Sequence, residues 1–558
     1  MRDDWSNYGD VFTRRWVVEA ILDLAGYNID ADLGGSVLIE PSIGLGAFLV
    51  PAVERLLDSA ELFGRAPESL GQAIRGYDLL SDSVAQSRIG VERVLIAKGV
   101  VASTAKRLSL EWLSVEDFLL ADQIPAADFI VGNPPYIRLE DIPGDVADAY
   151  RSRWRTMRGR ADIYIGFYER GLGLLKPSGR LGFICADRWM KNQYGSDLRA
   201  FVADQFAIEH VWVMHDVDAF EVKVSAYPAI TVLSKGRQRG AVVANTSGEF
   251  GDDSARQLAG WALRGGGSEV EGHGFTAHRM DTWFKGSGMW PSGTPSLIAL
   301  VENLNERFPP LSDSVKVGIG VATGADHTYV VKGANVEDDR LLPLSMVGDL
   351  HSSGRFDWNG YHLVNPWTTN GDLVDLLDYP LLKQYLEASE TLRGRHVAKK
   401  NPAQWFRTID KIDASLKGKP KLLIQDMRSK INPVLERGGY YPHHNLYFMT
   451  SDVWDLEVLG GILIGRIGQG FVEAYGVRMR GGTLRFQSQY LKKIRLPRFE
   501  DIDPDTCSRL RAAFRSRDID EATLASAVAY DIDPIRFKLL SEGVVASAGE
   551  RQRDTSGS

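Results

Sequence analysis

The sequence predicts an α/β fold built on a parallel sheet. Short apolar runs, which are typical of buried parallel strands, alternate with helical patterns between residues 36 and 233. One such strand, residues 36–40, leads through a glycine turn into a helical pattern. Another, residues 129–131, ends in a glycine and two prolines, which forbid both a helix and further strand pairing. Strands that alternate with helices in this way indicate βαβ units.

The composition is that of a soluble globular protein with more than one domain. The chain has 558 residues, of which 44% are hydrophobic and 25% charged. It has no apolar run long enough to span a bilayer and no signal-peptide core, so we expect no membrane partner. Cys185 and Cys507 lack metal-ligand spacing and favour a reducing, cytoplasmic location. The formal charge of -8 excludes a uniformly basic nucleic-acid binder, although not a local basic patch.

The first predicted element is a helix over residues 8–26. Thr13 is its expected N-cap, and Gly26 is expected to end it. A simple amphipathic helix with no further role explains the same pattern.

The turn after the first strand is a candidate ligand site. Glu40 ends the strand, and Pro41, Gly44 and Gly46 precede a helix that begins near Leu49. Strand, glycine turn and helix form the cofactor-binding arrangement of Rossmann-like folds. The glycines let the backbone approach a ligand, and a helix N-terminus favours a carboxylate.

Two further acidic positions follow predicted strands. Asp78 ends the strand over residues 73–79, where a carboxylate can accept both hydroxyls of a ribose. It is equally well placed to N-cap the next helix. Asp117 and Phe118 have the chemistry to bind an adenine edge, and a loop aspartate beside a core phenylalanine is the equal alternative.

The turn Asn133-Pro134-Pro135-Tyr136 carries the most specific chemistry in the chain. The Asn133 side-chain oxygen and the Pro134 carbonyl can hold both N–H groups of an exocyclic amine, such as N6 of adenine. These acceptors favour a more tetrahedral nitrogen as an electrophile approaches. Tyr136 can stack on the base. A proline-rich loop that merely ends a strand is the alternative, but this tetrapeptide is rare after an apolar strand.

Later strands complete the first predicted domain, over residues 1–235. Strands at 180–185, 210–215 and 229–233 bring the predicted total to seven. Phe220, on a turn before the last of them, is a candidate to close the second face of an extracted base, or else a loop aromatic that anchors a hairpin.

The remainder of the chain is predicted to form three segments. Residues 236–289 are rich in Gly, Ser, Asp and Glu, which is typical of a linker. Residues 290–500 are expected to form a mixed α/β domain, and residues 501–558 a small helical cap with a disordered tail.

A local basic segment lies in the second domain despite the acidic total. Residues 393–437 hold twelve Lys/Arg against four Asp/Glu, a balance of +8, interleaved with aromatic residues. A solvated charged face is the alternative. Candidate DNA-contacting residues are Lys399, Lys400, Arg407, Arg428, Lys430 and Arg485.

The pair His443-His444 is not expected to bind a metal. Adjacent residues on an extended segment point to opposite faces, and no Cys or carboxylate pattern joins them.

Together, these motifs resemble the gamma-class (TaqI-type) DNA adenine-N6 methyltransferases of restriction-modification systems. In that class a helix with a Thr precedes Glu/Asp-Pro-x-x-Gly-x-Gly, Asn-Pro-Pro-Tyr follows, and a target-recognition domain comes last. The resemblance covers residues 8–235 well and 290–500 more loosely. The looser part rests on residues 317–324, 426–428, 443–447 and 485–490.

The resemblance implies a role for each matching residue. S-adenosylmethionine is the implied cofactor, and double-stranded DNA with a flipped adenine is the implied substrate. Tyr136 and Phe220 would stack on that adenine, although Glu221 stands where family members often have Pro. The residues implied to bind the cofactor are Thr13, Glu40, Pro41, Gly44, Gly46, Asp78, Asp117, Phe118 and Asn133, and those implied to grip the target base are Asn133, Pro134 and Tyr136.

Three other functions are considered. A methyltransferase acting on a protein glutamine or on RNA shares the motif but is usually far shorter, and the extra C-terminal residues with their basic segment favour DNA. A bifunctional restriction-modification enzyme needs a nuclease domain, for which the chain shows no convincing motif, although a partner nuclease is plausible. A non-catalytic DNA-binding protein needs neither the glycine turn nor the acceptor turn.

Overall fold

The computed structural model describes residues 12–222, 227–280, 286–476, 483–533 and residue 537. The chain divides into two compact units, Met1–Pro291 and Ser292–Ser558. Within the described part of the chain, no helix has both the length and the apolarity that crossing a bilayer requires.

The first unit is built on one sheet of ten strands. The strands are β1 Leu38–Glu40, β2 Ile74–Asp78, β3 Leu113–Val115, β4 Ala127–Gly132, β5 Leu175–Ala186, β6 Phe206–Val213, β7 Pro228–Lys235, β8 Ala241–Thr246, β9 Glu269–Gly272 and β10 Phe275–Met280. Their order in the sheet is β3-β2-β1-β4-β5-β7-β6-β8-β10-β9. The first five strands of this order pair in parallel, whereas β7 is antiparallel to both β5 and β6.

The order of the strands reverses between β1 and β4. β2 and β3, which follow β1 in the chain, lie on one side of it in the sheet. A crossover connection then leads to β4 and β5, which lie on the other side. At such a switch point the helices leave in opposite directions, so a crevice opens outside the carboxyl ends of the two strands. The glycine turn follows β1 and the Asn-Pro-Pro-Tyr turn follows β4, so both motifs lie at this crevice.

Helices connect and cover the strands of the first unit. They are α1 Arg15–Ala25, α2 Leu49–Leu62, α3 Ser81–Ala97, α4 Ala102–Trp112, α5 Gly144–Arg153, α6 Tyr164–Leu174, α7 Ser196–Gln205 and α8 Asp252–Arg264. α1 buries its apolar face against β5, where a Cβ at Gly182 would lie 3.0 Å from Ile21 Cγ2. This close packing fixes the position of the residues that precede α1.

The N-cap prediction for Thr13 is wrong. α1 begins at Arg15, and its N-cap position is Arg14, whose side chain makes no capping hydrogen bond. Thr13 instead forms an extended β-bridge with Phe220. The pairing is reinforced because the Arg14 N–H donates to the Ala219 carbonyl at 3.0 Å. Tertiary pairing therefore overrides the local capping preference. Residues 8–11 of the predicted helix lie outside the described residues.

The predictions of seven strands and of a linker over residues 236–289 both need correction. β8 pairs in parallel with β6, and β10 pairs with β8 and β9, so this stretch extends the sheet to ten strands. The glycines that suggested a linker lie in tight connections, with positive φ at Gly265, Gly267 and Gly274. Asp252 and Asp253 of α8 and Glu269 and Glu271 of β9 are exposed.

The second unit is mixed α/β. Its strands are β11 Lys316–Ile319, β12 Val330–Val331, β13 Leu341–Ser345, β14 His362–Val364, β15 Lys421–Gln425, β16 Met427–Arg428, β17 Val434–Glu436, β18 Tyr441–Pro442, β19 Leu446–Thr450 and β20 Leu484–Arg485. Among the described residues they form the sheets β11-β19-β15-β17 and β12-β14-β13-β18 and the two-stranded ribbon β16-β20. Strands β11, β16 and β19 overlap three of the stretches on which the resemblance rests, residues 317–324, 426–428 and 443–447.

The helices of the second unit include two in the C-terminal region that was predicted to be a helical cap. They are α9 Pro295–Arg307, α10 Asp326–Tyr329, α11 Pro380–Glu387, α12 His396–Lys400, α13 Leu456–Ile464, α14 Arg466–Tyr475, α15 Ser488–Leu491, α16 Pro504–Ser516 and α17 Ile519–Ala529. α16 packs on α13, where Gly461 leaves no room for a Cβ beside the Leu510 carbonyl, 2.5 Å away. The C-terminal helices thus belong to the core of this unit. The predicted tail from residue 550 lies outside the described residues.

A buried ion pair joins β15 to β17 in the second unit. Lys421 Nζ donates to Glu436 Oε2 at 2.5 Å and to the Tyr440 carbonyl at 3.0 Å. Glu436 Oε1 accepts from the N–H groups of Gly438 and Gly439. Both charged side chains are almost completely buried, at 0% and 2% exposed. Both carboxylate oxygens and the ammonium group have partners. Removal of either side chain alone would therefore leave the other one buried without its partner, which destabilises the fold.

We predict that Glu436→Gln lowers the free energy of unfolding by about 3 kcal/mol, since it leaves the Lys421 ammonium buried without its counter-charge. Urea denaturation followed by tryptophan fluorescence would measure this change. Lys419→Met is the matched control, because Lys419 faces Asp452 at 3.9 Å with both side chains exposed, and we expect it to change stability by less than about 0.5 kcal/mol. A Glu436→Gln variant as stable as this control would contradict the prediction.

Candidate functional site

The candidate site lies where the carboxyl ends of β1 and β4 meet. The two strands pair in parallel, with Leu38 opposite Phe129 and Ile39 opposite Ile130. The two turns begin close together, because a Cβ at Gly132, the last residue of β4, would lie 3.4 Å from Pro41 Cδ of the glycine turn. The structure therefore brings the glycine turn and the Asn-Pro-Pro-Tyr turn to neighbouring positions.

The glycine turn needs its glycines. Gly44 has φ +50° and Gly46 has φ +87°, a backbone region that side chains with a Cβ rarely adopt. Ser87 Oγ donates to the Gly44 carbonyl at 2.9 Å, and a Cβ at Gly46 would lie 3.2 Å from that hydroxyl. A Cβ at Gly44 would meet nothing within 4 Å, so the turn borders open space. A ligand can therefore approach this backbone closely.

Glu40 carries a buried carboxyl group that is incompletely hydrogen-bonded. Its residue is 1% exposed, and its Oε2 atom has no hydrogen-bond partner among the described residues. Burial raises the pKa of Glu40 well above its ordinary value, and the nearby Asp78 raises it further. A buried polar atom with no partner is costly, so its presence fits a site that a hydrogen-bond donor or a cation completes.

Asp78 forms a hydrogen bond with the glycine turn. Its Oδ2 atom accepts from the Gly44 N–H at 2.9 Å, and its Oδ1 atom accepts from the Leu80 N–H at 2.9 Å. α3 begins at Ser81 with no side-chain cap, so the N-cap alternative for Asp78 is not what the structure shows. Asp78 thus lies at the edge, as the ribose prediction requires, and also shapes the turn.

Asp117 and Phe118 follow β3, on the neighbouring part of the same edge. Asp117 accepts from the Leu119 N–H at 2.8 Å and from the Tyr150 hydroxyl at 2.8 Å, and burial raises its pKa. Phe118 is 2% exposed and stacks on Phe167 with ring centroids 5.5 Å apart. Phe118 is therefore a core residue in this structure, which was one of the two alternatives.

Asn133 contacts the extended segment before α1. Its Nδ2 atom donates to Thr13 Oγ1 at 3.3 Å, and Thr13 in turn bridges to Phe220. Three predicted site residues, which lie far apart in the sequence, therefore converge. In this hydrogen bond the amide nitrogen faces Thr13, and the amide oxygen faces the other way.

Tyr136 is held at both ends of its side chain. The hydroxyl donates to the Ile184 carbonyl of β5 at 3.3 Å, and the ring meets Tyr164 edge to face at 6.5 Å. Burial raises the pKa of Tyr136 well above its ordinary value, so the hydroxyl is neutral. The side chain is an oriented aromatic surface beside Pro134.

Phe220 is placed differently from the expectation. It is 3% exposed and belongs to the hydrophobic core of the first unit, because its backbone bridge to Thr13 draws the residue inward. Residues 223–226, which follow shortly after it, lie outside the described residues.

One polar pair at the same edge was not predicted. Asp187 follows β5 and accepts from His215 Nε2 at 2.9 Å, with both side chains largely buried. Burial alone would raise the pKa of Asp187, but His215, Lys191 and Arg188 hold it below its ordinary value. A carboxylate directly after an apolar strand was the signal in the sequence that could have found Asp187, whereas His215 follows a different strand.

The predicted DNA-contacting residues fall into two groups in the second unit. Lys399, Lys400 and Lys430 are exposed. The arginines are engaged: Arg407 donates to the carbonyls of Thr408 and Ile409, Arg428 donates to Gln425 Oε1 at 2.5 Å, and Arg485 pairs with Asp426 at 2.6 Å. Lys421, which contributed to the basic balance, is buried and paired.

The expectation that His443 and His444 diverge is wrong. Their ring centroids are 4.1 Å apart, and both rings face Asp326. The alternation of an extended strand does not apply, because His444 lies in the turn between β18 and β19. Asp326 is distant in sequence, so no local pattern joined it to the pair.

Comparison with known proteins gives consistent matches. Residues 107–220 match the family model described as Eco57I restriction-modification methylase. The chain is 42% identical over 540 residues to the type II methyltransferase M.XhoI of Xanthomonas vasicola, covering 94% of this chain and 97% of that protein. It is 43% identical over 518 residues to the type II methyltransferase M.PaeR7I of Pseudomonas aeruginosa, covering 92% and 89%.

A solved structure shows the same fold across nearly the whole chain. It is the type IIL restriction-modification enzyme MmeI in complex with DNA, with a TM-score of 0.60 at 12% sequence identity. The match covers 96% of this chain and 76% of that one.

Proposed function

The chain belongs to the type II DNA methyltransferases of restriction-modification systems, and we propose that it transfers a methyl group from S-adenosylmethionine to N6 of an adenine in double-stranded DNA. The observation that carries the proposal is the contact of two turns at one sheet edge. One turn presents a buried carboxyl with an unpartnered oxygen, and the other presents the Asn133 amide and the Pro134 carbonyl. A cofactor site and an acceptor for an amino group are thus side by side.

The residues at the glycine turn fit this cofactor. When bound, S-adenosylmethionine supplies an electrophilic methyl group on a sulfonium sulfur. Glu40 Oε2 is positioned to accept a hydrogen bond from a ligand, which would remove the cost of its burial. Gly44 and Gly46 let the backbone approach, and Asp78 holds their turn in place. The N-terminus of α2, which follows this turn, favours a carboxylate.

Asn133 and Pro134 act as the acceptors for the target amine. Because Thr13 takes the hydrogen bond of Asn133 Nδ2, the amide oxygen is presented to the amine rather than its nitrogen. Two acceptors on one NH2 group favour a tetrahedral nitrogen, whose lone pair is then available for attack. No covalent enzyme intermediate is required, so alignment and fixed dipoles carry the catalysis.

The target adenine has to leave the DNA helix, because its N6 edge is hidden in the base stack. Tyr136, held by Ile184 and Tyr164, provides one stacking surface. Phe220 is proposed for the other face, and its ring has to leave the hydrophobic core to reach a base. Stacking offsets the few kcal/mol that unpairing costs.

The second unit is proposed to bind the DNA. Exposed Lys399, Lys400 and Lys430 suit phosphate contacts, which position the duplex without reading its sequence. Arg428 and Arg485 lie on the β16-β20 ribbon, where Met427 pairs with Arg485 and Arg428 with Leu484. Asp426 orients the Arg485 guanidinium, and a fixed guanidinium suits contact with a base edge.

The family membership disfavours a protein glutamine or an RNA base as the substrate. M.XhoI and M.PaeR7I, which match this chain over most of their length, are both named as methyltransferases. We therefore propose a single methyltransferase activity, with a separate endonuclease of the same system as its biological partner.

We predict that Asn133→Ala lowers methyl transfer at least about 100-fold, because the amide acceptor acts only as the transition state forms. Binding of S-adenosylmethionine should change less than about threefold. A tritium-methyl filter assay on unmethylated duplex DNA and isothermal titration calorimetry would measure the two effects. Asn245→Ala, at an exposed position of β8, is the control.

The same reaction identifies the modified base. Nucleosides digested from the product should contain N6-methyldeoxyadenosine by mass spectrometry. A methylated cytosine, or an Asn133→Ala variant with activity close to that of Asn245→Ala, would contradict the proposed chemistry.

We predict that cofactor binding releases a proton from Glu40. Burial raises the pKa of Glu40, so the free protein keeps this carboxyl protonated to a higher pH than usual. A donor or cationic ligand stabilises the ionised form, so affinity should increase as pH rises through that pKa. Calorimetry in buffers of different ionisation enthalpy measures the released proton.

Glu40→Gln should abolish this proton release and weaken cofactor binding about tenfold or more. Glu61→Gln, at an exposed position of α2, should leave both quantities unchanged. Equal proton release in the wild type and in Glu40→Gln would exclude Glu40 as its source.

We predict that the double variant Lys399→Ala/Lys400→Ala binds duplex DNA more weakly whatever its sequence, because phosphate contacts carry no sequence information. The plot of log affinity against log salt concentration should become less steep, with the magnitude of its negative slope reduced by about two. Fluorescence anisotropy across a salt series would measure it, with Lys106→Ala, an exposed lysine of the first unit, as the control. An unchanged slope would place the phosphate contacts elsewhere.

A further inference from the structure

We propose that Asp326, His443 and His444 form a binding site for one divalent transition-metal ion of the zinc type, which fastens the glycine-rich segment 317–324 to the strands β18 and β19. The site belongs to the second unit and does not depend on the proposed methyl transfer. Its three side chains come from two distant parts of the sequence.

The ligand atoms are close enough to share one ion. One atom from each side chain lies within 4.8 Å of the other two. His443 Nε2 is 3.2 Å from Asp326 Oδ2, and His444 Nδ1 is 4.0 Å from the same oxygen. Ligands about 2.0–2.2 Å from a tetrahedral zinc ion lie roughly 3.3–3.6 Å from each other. The first of these two distances is already close to that range, and the second requires the His444 ring to move nearer to the carboxylate.

The donor set has the chemistry of a zinc-type site. Two imidazole nitrogens and one carboxylate oxygen are a common set of three protein ligands, with solvent completing the fourth position. The Asp326 side chain is 47% exposed, so solvent can reach that position.

Each ligand is held in place by its surroundings. The backbone N–H of His443 donates to the Ser345 carbonyl at 3.1 Å, and the backbone N–H of His444 donates to the Val321 carbonyl at 3.1 Å. The second oxygen of Asp326 accepts from the Thr323 hydroxyl. A hydrogen bond of this kind to a ligand carboxylate orients it and is typical of metal sites.

Gly320 explains why the segment is rich in glycine here. A Cβ at this position would lie 2.2 Å from the carbonyl oxygens of both Pro442 and His443. Only glycine lets the backbone come this close, and the approach brings Asp326 within reach of the histidines. The glycine-rich segment therefore packs directly against the backbone of the histidine turn.

A hydrogen-bonded cluster without metal accounts for only part of the arrangement. The contact of His443 with Asp326 is a sufficient ion pair or hydrogen bond by itself. It does not account for His444 Nδ1, a buried atom that faces the same oxygen and has no hydrogen-bond partner among the described residues. An ion between the three side chains would satisfy this nitrogen.

The test uses the full chain with no histidine tag, stripped of metal with a chelator. Cobalt chloride or zinc chloride is then added, with cobalt followed by its visible absorption and zinc by calorimetry. We expect one ion per chain, a cobalt spectrum of tetrahedral type, and a higher melting temperature with zinc. Asp326→Asn and His444→Gln should each weaken binding at least about tenfold.

His351→Gln is the matched control, because His351 also pairs with an aspartate, Asp357, at 3.1 Å, but lacks a second histidine. It should bind metal like the wild type. Circular dichroism would establish that each variant is folded. One measurement needs no variant: zinc should protect His444 of the wild-type chain from carbethoxylation by diethyl pyrocarbonate, detected by peptide mass spectrometry.

Two results would overturn the proposal. One is binding of less than one ion per chain together with unprotected His444. The other is binding that both Asp326→Asn and His444→Gln leave at the affinity of His351→Gln.

Discussion

The parallel pairing of β1 with β4 is the constraint on which the candidate site depends. It places Glu40 and Asn133 at the same edge, although they are far apart in the sequence. The pairing also lies where the strand order reverses, which is where an open α/β sheet has room for a ligand. The packing of α1 on β5 then brings Thr13 to Asn133 and orients its amide. The glycine turn, the Asn-Pro-Pro-Tyr turn and Thr13 are thus brought together by the same strand pairing and helix packing.

The two buried carboxyl groups of Glu436 and Glu40 differ in whether all of their oxygens have hydrogen-bond partners. Glu436, in the second unit, is buried with every oxygen satisfied by Lys421 or by backbone N–H groups. Glu40, in the first unit, is equally buried but keeps an oxygen with no partner in the described structure. The first arrangement strengthens a fold, whereas the second costs stability unless a ligand completes it. Unsatisfied burial at a sheet edge therefore marks the site better than burial alone.

Glycine serves two different purposes in the two units. Gly44 and Gly46 are required by their positive φ, which shapes the turn after β1. Gly320 is required by close approach, since a Cβ there would overlap two carbonyl oxygens. Both motifs were visible in the sequence as glycine-rich stretches after or within strands. Which of the two reasons applies depends on what packs opposite the glycine, and only the folded chain supplies that neighbour.

The sequence by itself determined the α/β class, the strand and turn that carry each motif, and the side chains that the Asn-Pro-Pro-Tyr turn carries. These follow from local rules, because proline and glycine restrict the backbone wherever they stand. Only the tertiary structure decided that Thr13 bridges to Phe220 rather than capping a helix, that residues 241–280 extend the sheet, and that His443 and His444 both face Asp326. Each of these features depends on packing and hydrogen bonding between segments that are distant in the sequence. No local sequence pattern contains the energy of those interactions.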